Sequence, residues 1–352
     1  MGDWIMNLFR IRRRIQAACA ALVLTGALGL GSAAQAEELT VYSAMAKEQF
    51  AELIAAFQKQ EPDIKINQLI DSNGPIMARL LAEMNNPRAD VILGVAVSNL
   101  VLLEQKGTLM PYSPAGLEQI KDRFYDHKGD KPSWVGTDAY ASALCFNKVE
   151  GAKHSVEEPK SWKDLVKPEY KGMIVMPNPN SSDTGLLAIV GWMKIFGEDG
   201  AWKYMDALHE NIAQYVHSGS KPCRMAATAE AVIGVSYPAP GVKAINDGAP
   251  LSIVIPSEGV GSAVEGTAIL AGAHNVDAAK KLADFAASLE ANKIHNKYYA
   301  LVARKGVSGD VPNYPKGEEA ALVDMDYYWV AANRDRILAE WQKRYGAKDA
   351  PK

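Results

Sequence analysis

Four short loops rich in hydroxyl side chains carry the residues best suited to chemistry in this sequence. Each lies directly before a predicted helix. The N-terminus of a helix offers unpaired N–H groups and a partial positive charge, and hydroxyls add donors without burying a counter-charge. Together they suit a tetrahedral oxyanion such as phosphate or phosphonate. The loops cover residues 42–44, 71–74, 180–185 and 217–221.

Helix capping is the alternative explanation of these loops. Serine, threonine, aspartate and asparagine are preferred N-cap residues, so capping explains any one loop taken alone. Four such loops in one chain favour a shared anion site. The sequence contains no G-x-S-x-G, P-loop or G-x-G-x-x-G motif, and its six histidines are scattered. Nothing in these residues indicates catalysis, and we expect no enzymatic activity, no cofactor and no metal site.

Alternating strand and helix patterns position these loops. Residues 39–45, 64–70 and 89–93 have the composition of buried strands, and residues 47–59 have helical apolar spacing. This βαβαβ order predicts an α/β fold with a mostly parallel, doubly wound sheet, in which ligands bind at the carboxyl ends of strands. The pattern recurs after residue 139. We expect two lobes, each with such a sheet, joined by two chain crossings that form a hinge.

The first 36 residues have the features of a cleaved secretory signal. Four arginines precede an apolar run that is shorter than the ~20 residues of a membrane span, and Ala34-Gln35-Ala36 matches the A-x-A cleavage pattern. A transmembrane anchor is the alternative. Cleavage leaves 316 residues, enough for two domains, and changes the formal net charge from −3 to −6. Such a charge argues against a nucleic-acid partner.

Two cysteines, Cys145 and Cys223, remain after cleavage. An even number in an exported protein predicts a disulfide, and two cysteines allow one pairing. Two free buried thiols are the alternative.

Several segments resemble the 2-aminoethylphosphonate-binding proteins, which are periplasmic solute-binding proteins of ABC importers. The resemblance extends over essentially the whole chain after the signal. It is carried by Pro-Asn-Pro-Asn-Ser-Ser-Asp-Thr-Gly at 177–185, by residues 209–223 with their Ser-Gly-Ser-Lys-Pro-Cys ending, by Trp-Val-Gly at 134–136 and by residues 331–345.

The resemblance implies a type II periplasmic binding protein that closes on its ligand by hinge motion. It implies a monomer in the periplasm, with an ABC transporter permease as its partner. The expected divisions are a signal peptide at 1–36, the first part of lobe 1 at 37–138, lobe 2 at 139–262, and the return segment of lobe 1 with the C-terminal helices at 263–352.

The same resemblance assigns roles to the hydroxyl-rich loops. The phosphonate is expected to be held from lobe 2 by Ser181, Ser182 and Thr184, and from lobe 1 by Ser43 and Ser72. Ser218 and Ser220 are expected at the rim or as support. The ammonium end needs a carboxylate or an aromatic face, for which the candidates are Glu265, Tyr237, Trp134 and Asp71.

Ferric-iron-binding relatives are the main alternative. Their iron ligands are typically two adjacent tyrosines just after a strand, where this chain has Tyr237 followed by Pro-Ala-Pro. The adjacent pairs at 298–299 and 327–328 lie elsewhere, and we predict that they pack on helices. A binder of another small organic anion and a secreted enzyme acting on phosphonates also stay open.

Overall fold

The computed structural model describes residues 37–307 and 311–350. The predicted signal peptide, residues 1–36, lies outside the described residues. None of the described helices is long and apolar enough to cross a membrane.

Strands and helices alternate along the described chain. The strands are β1 Glu37–Ser43, β2 Ile64–Ile70, β3 Val91–Ala96, β4 Leu109–Met110, β5 Val135–Ala141, β6 Ala143–Asn147, β7 Ile174–Pro177, β8 Ile212–Val216, β9 Ile233–Ser236, β10 Leu251–Val254, β11 Ser262–Leu270 and β12 Leu301–Val302. The α-helices are α1 Lys47–Gln60, α2 Asn73–Ala82, α3 Val97–Gln105, α4 Lys148–Lys153, α5 Asp183–Phe196, α6 Glu198–Asn211, α7 Lys221–Ala227, α8 Pro238–Asn246, α9 Val276–Ala287, α10 Leu289–His295, α11 Glu318–Ala321 and α12 Tyr327–Tyr345.

The strands form two sheets. The first has the order β12-β5-β11-β3-β1-β2, with β4 also paired to β11, and the second has the order β10-β6-β9-β7-β8. Each sheet has its own apolar core. Phe50 and Phe57 of α1 are buried beside the first sheet, whereas Trp162 and Trp192 are buried beside the second. This confirms the predicted two-lobed α/β architecture.

Both sheets are mixed, where the sequence pattern led us to expect mostly parallel strands. β1 pairs with β3 in parallel, and β7 pairs in parallel with β8 and β9. However, β11 runs antiparallel to β3 and β5, and β6 runs antiparallel to β9 and β10. The hinge explains the pair β5 and β11. The chain leaves the first sheet through β5 and returns to it through β11, so these neighbouring strands run in opposite directions.

The two chain crossings between the sheets lie side by side. Ser142, between β5 and β6, donates its backbone N–H to the carbonyl of Gly261 at 2.8 Å, just before β11. Helix α5 approaches this point closely, because a Cβ on Gly261 would lie 2.2 Å from the Leu187 carbonyl oxygen. The lobe limits at 138/139 and 262/263 remain a proposal.

The C-terminal helix α12 packs against both cores. Ala331 belongs to the core beside the first sheet, and the fully buried Trp341 belongs to the core beside the second. The predicted disulfide is confirmed: Cys145 of β6 is bonded to Cys223 of α7, with Cα atoms 5.2 Å apart. This bond ties α7, and the loop before it, to the second sheet.

Candidate functional site

A cavity of about 470 Å³ lies where the two lobes face each other. Its walls are the loops after β1, β2 and β8, the start of α5, and part of α7 and β11. Both lobes therefore contribute to one cleft. The predicted site residues that line it are Ser72, Ser182, Thr184, Ser218, Ser220, Tyr237 and Glu265.

Two serines precede helices on opposite sides of this cavity. Ser72 is the N-cap residue of α2 and Ser182 that of α5, yet neither hydroxyl makes a capping hydrogen bond. Both residues line the cavity. Helix capping was the alternative explanation for these serines. Because neither hydroxyl makes a capping hydrogen bond, both remain available to a ligand.

A glycine lets the loop after β8 approach the start of α5. A Cβ on Gly219 would lie 2.3 Å from Thr184 Oγ1 and 2.8 Å from Ser182 Oγ. The loop is held in this place because Ser236 Oγ donates to the Gly219 carbonyl at 2.6 Å. Ser218 Oγ lies 3.1 Å from Ser220 Oγ. Four hydroxyl groups of lobe 2 are thus gathered around the same part of the wall.

Two predicted serines stand behind the wall. Ser43 is fully buried, and its Oγ accepts a hydrogen bond from the Met45 N–H at 3.1 Å. Ser181 Oγ donates to the His217 carbonyl at 2.7 Å. Neither residue lines the cavity. In this conformation their hydroxyls hold the neighbouring loops, whereas the adjacent residues Ala44 and Ser182 line the cavity.

Sequence reasoning missed the cationic side chain of Arg224, which lines the cavity as Lys47 also does. Arg224 lies one turn after Ser220 on α7 and is exposed. Within the described part of the chain, no carboxylate lies within ion-pair distance of Arg224. A guanidinium recognises phosphate with paired N–H donors. The spacing of Ser220 and Arg224, four residues apart on a helix, is the signal that could have found it.

Glu265 lies beside a second buried carboxyl group. It pairs in register with Asp138 across β11 and β5. Burial, and then the Asp138 carboxyl, raise the pKa of Glu265 well above its usual value. Asp138 Oδ2 lies 2.8 Å from Nδ1 of the fully buried His295. Burial and Asp138 therefore favour the protonated form of Glu265, and in that form it donates a hydrogen bond but supplies no charge to an ammonium group.

The other candidates for the ammonium end lie apart from one another. Asp71 lines the cavity, and its Oδ1 is 3.2 Å from His217 Nε2 across the cleft. Tyr237 also lines it and lies in a group of three tyrosine rings, with centroid distances of 4.8 Å to Tyr140 and 6.5 Å to Tyr299. Trp134 lines a separate small cavity beside Tyr112.

The adjacent tyrosine pairs have packing roles, but the predicted helical position is confirmed for Tyr327 and Tyr328 alone, because Tyr298 and Tyr299 lie after the end of α10. Tyr299 is buried against Tyr140, and the Tyr298 hydroxyl donates to Glu52 Oε2 at 3.2 Å. Tyr327 and Tyr328 pack against the first-lobe core. Burial, and then the Glu265 carboxyl, raise the pKa of Tyr237, which opposes the tyrosinate form that ferric iron needs. Among the described residues, no group of three or more His, Cys, Asp or Glu side chains is arranged to hold a metal ion.

Three contacts between described residues join the lobes where the loop after β2 and helix α3 meet the loops beside α5 and after β8. The Gly74 N–H donates to the Ser181 carbonyl at 3.1 Å, and Asn99 Nδ2 donates to the buried carboxylate of Asp183. The third is the Asp71–His217 pair. A Cβ on Gly74 would lie 2.2 Å from the Asn180 carbonyl oxygen, so a side chain at this position is incompatible with the contact.

Comparison with known proteins gives consistent matches over most of the chain. A family model described as bacterial extracellular solute-binding protein matches residues 86–329. An uncharacterised protein of Haemophilus influenzae is 31% identical over 328 residues, which cover 91% of this chain and 94% of that protein. A probable ABC transporter periplasmic-binding protein of Sinorhizobium fredii is 27% identical, with coverage of 85% and 79%.

A solved structure also matches along the chain. The periplasmic binding protein AfuA of Actinobacillus pleuropneumoniae, with exogenous fructose-6-phosphate bound, superposes with a TM-score of 0.82. It is 29% identical, and the match covers 88% of this chain and 99% of AfuA. The predicted type II fold is thereby confirmed.

Proposed function

We propose that this chain, which belongs to the bacterial extracellular solute-binding protein family, captures a small organic molecule that carries a phosphonate or phosphate group. The chain is a periplasmic solute-binding component of an ABC transporter. Ligand contacts from both lobes favour the closed form, which is then recognised by the membrane permease. The Sinorhizobium fredii relative and AfuA are named as periplasmic binding proteins, and the same class is proposed for this chain.

The observation that carries the proposal is the pair Ser72 and Ser182. Both are N-cap residues with unused hydroxyls, they come from different lobes, and they line one cavity. Each lies beside the partial positive charge of a helix of ten or more residues. Arg224 adds a full positive charge to the same wall. A tetrahedral oxyanion satisfies donors arranged in this way from both sides.

2-Aminoethylphosphonate is the specific ligand that the sequence resemblance suggests. Its phosphonate would be held by Ser72, Ser182 and Thr184, with Ser218 and Ser220 beside them. Its ammonium would need a charged carboxylate, and the exposed Asp71 at the cavity wall is the candidate that supplies one.

A phosphorylated sugar is the second candidate. The cavity of about 470 Å³ has the volume of roughly 16 water molecules at ~30 Å³ each, more than a molecule with the few heavy atoms of 2-aminoethylphosphonate fills. The neutral Glu265 is suited to a hydroxyl group, since a carboxylic acid both donates and accepts. AfuA was solved with fructose-6-phosphate bound.

Calorimetric titration of the mature, metal-free protein separates these ligands. The panel is 2-aminoethylphosphonate, fructose-6-phosphate, ethylphosphonate and inorganic phosphate. Tight binding of at least one organic phosphorus anion supports the proposal. The ligand that binds most tightly then identifies the organic group that the site prefers. If none binds and ferric citrate produces a visible tyrosinate-to-iron absorption band, the oxyanion proposal is wrong and the iron alternative replaces it.

A further inference from the structure

We propose that the cleft has a second chamber, which receives a flat apolar part of the ligand. This inference rests on the proposed function, because it assigns the ligand's tail once the oxyanion is placed. The preferred ligands would be organophosphorus anions with an aromatic or apolar tail. 2-Aminoethylphosphonate, which lacks such a tail, would fill only the oxyanion cavity.

The second chamber adjoins the oxyanion cavity. It has a volume of about 430 Å³. The two spaces share five wall residues, so they are compartments of one cleft. The shared residues are Ala46, Glu48, Ser220, Arg224 and Tyr237.

The rest of the chamber wall is mostly apolar. Ala227, Ala239, Pro240 and Ala244 contribute small apolar groups, and Tyr298 and Tyr299 contribute aromatic rings. A space lined in this way, adjacent to a few convergent polar groups, is typical of sites for small organic ligands.

Apart from Glu48 and Arg224 on the wall shared with the oxyanion cavity, three polar side chains of this chamber have partners among the described residues. Lys243 Nζ lies 2.7 Å from Asp247 Oδ2. The Tyr298 hydroxyl donates to Glu52, and Gln49 Nε2 lies 3.0 Å from His295 Nδ1. A ligand group in the chamber therefore meets ring faces and methyl groups, and it gains chiefly by leaving water.

The chamber draws its wall from both lobes. Ala239 and Pro240 lie on α8 beside the second sheet, whereas Tyr298 and Tyr299 follow α10, which packs beside the first. Arg224 lies on the wall common to the two chambers. A ligand with its oxyanion at Arg224 and its tail at Tyr298 thus bridges the lobes and adds to the preference for the closed form.

The test compares methylphosphonate with phenylphosphonate by calorimetry on the mature protein. Burying a phenyl group is expected to raise affinity by about tenfold or more. Ala239→Phe, which fills the chamber, and Tyr298→Ala, which removes a ring, should abolish the difference and leave methylphosphonate binding unchanged. Tyr298→Phe keeps the ring and serves as the matched control, so it should retain the preference.

The outcomes separate this inference from the proposed function. Equal affinity for the two phosphonates would show that the second chamber does not bind the tail, and it would not affect the proposed oxyanion site. A preference for phenylphosphonate that survives both Ala239→Phe and Tyr298→Ala also overturns the chamber assignment, because the tail then lies elsewhere. If neither phosphonate nor any other phosphorus anion binds, the proposed function fails and the chamber assignment with it.

Discussion

Glu265 and Asp138 occupy directly paired positions on the two strands that lead into and out of the hinge. Their carboxyl groups are buried together, and His295 Nδ1 lies 2.8 Å from the Asp138 side of the pair. Burial, and then the neighbouring Asp138 carboxyl, favour the protonated form of Glu265. A titratable group of this kind ties the stability of the cleft wall to pH.

Stability should fall as the pH rises through the titration of Glu265. Its pKa is raised in the folded protein, first by burial and then by Asp138, so the folded state holds a proton that the unfolded state releases above about pH 4.3. Glu265→Gln mimics the neutral acid. Its free energy of unfolding relative to wild type, measured by denaturant titration, should therefore rise as the pH increases above about 4.3.

The titration of Glu318 does not affect the comparison between Glu265→Gln and wild type. Burial raises the pKa of Glu318 to about 7, but this residue is present in both proteins and cancels in the difference. If the difference in free energy of unfolding between Glu265→Gln and wild type stays constant over the pH range, the pKa of Glu265 is not raised in the folded protein.

Gly219→Ala should weaken oxyanion binding although glycine contributes no side chain to the ligand. The added Cβ would lie 2.3 Å from Thr184 Oγ1 and 2.8 Å from Ser182 Oγ, so both hydroxyls must move. We expect a loss of about tenfold or more in affinity by calorimetry, with little change in melting temperature. Gly129→Ala is the control, because its Cβ would meet nothing closer than 3.4 Å. Equal affinities in the two variants would contradict this prediction.

Gly74→Ala should disfavour the closed form. The new Cβ would strike the Asn180 carbonyl at 2.2 Å, where Gly74 now donates to Ser181 across the cleft. Small-angle scattering with saturating ligand should give a larger radius of gyration for the variant than for wild type, and calorimetry should give weaker binding. Identical radii in the two ligand-saturated proteins would show that this contact does not define closure.

Loss of the Cys145–Cys223 bond should destabilise the protein. The bond links residues 78 positions apart, and closing a loop of this length is worth about 3–5 kcal/mol in the chain-entropy model. The double variant Cys145→Ser with Cys223→Ser should show such a decrease in the free energy of unfolding. Under reducing conditions the wild type should approach the variant, and a wild type insensitive to reduction would contradict the expectation.

Residue type predicted much of the site because hydroxyls before helices are a local signal. Ser72, Ser182 and Thr184 were found in this way and line one cavity. The same signal could not distinguish Ser182 from Ser181, since only the path of the loop after β8 turns the Ser181 hydroxyl toward the His217 carbonyl. For Ser43, too, the signal could not distinguish a ligand contact from a structural role. Its hydroxyl accepts a hydrogen bond from the Met45 N–H inside the core.

Strand patterns gave the two-lobed fold but not the direction of its strands. Apolar runs such as those of β3 and β6 indicate burial, and burial is equal for parallel and antiparallel neighbours. The direction follows from the two crossings of the hinge, which is a property of the whole chain. Arg224 was missed although its spacing from Ser220 is a local signal, because the spacing does not show that this helix lies at the cleft, where the Cys223 disulfide helps to hold it.

The most direct test of the oxyanion site is the double variant Ser182→Ala with Thr184→Ala, titrated with the organic phosphorus anion that the wild type binds best. Ser257→Ala, an exposed serine outside the cleft, is the matched control. The site described above predicts an affinity at least about tenfold weaker in the double variant, with an unchanged melting temperature and an unaffected control. Wild-type affinity in the folded double variant would contradict it.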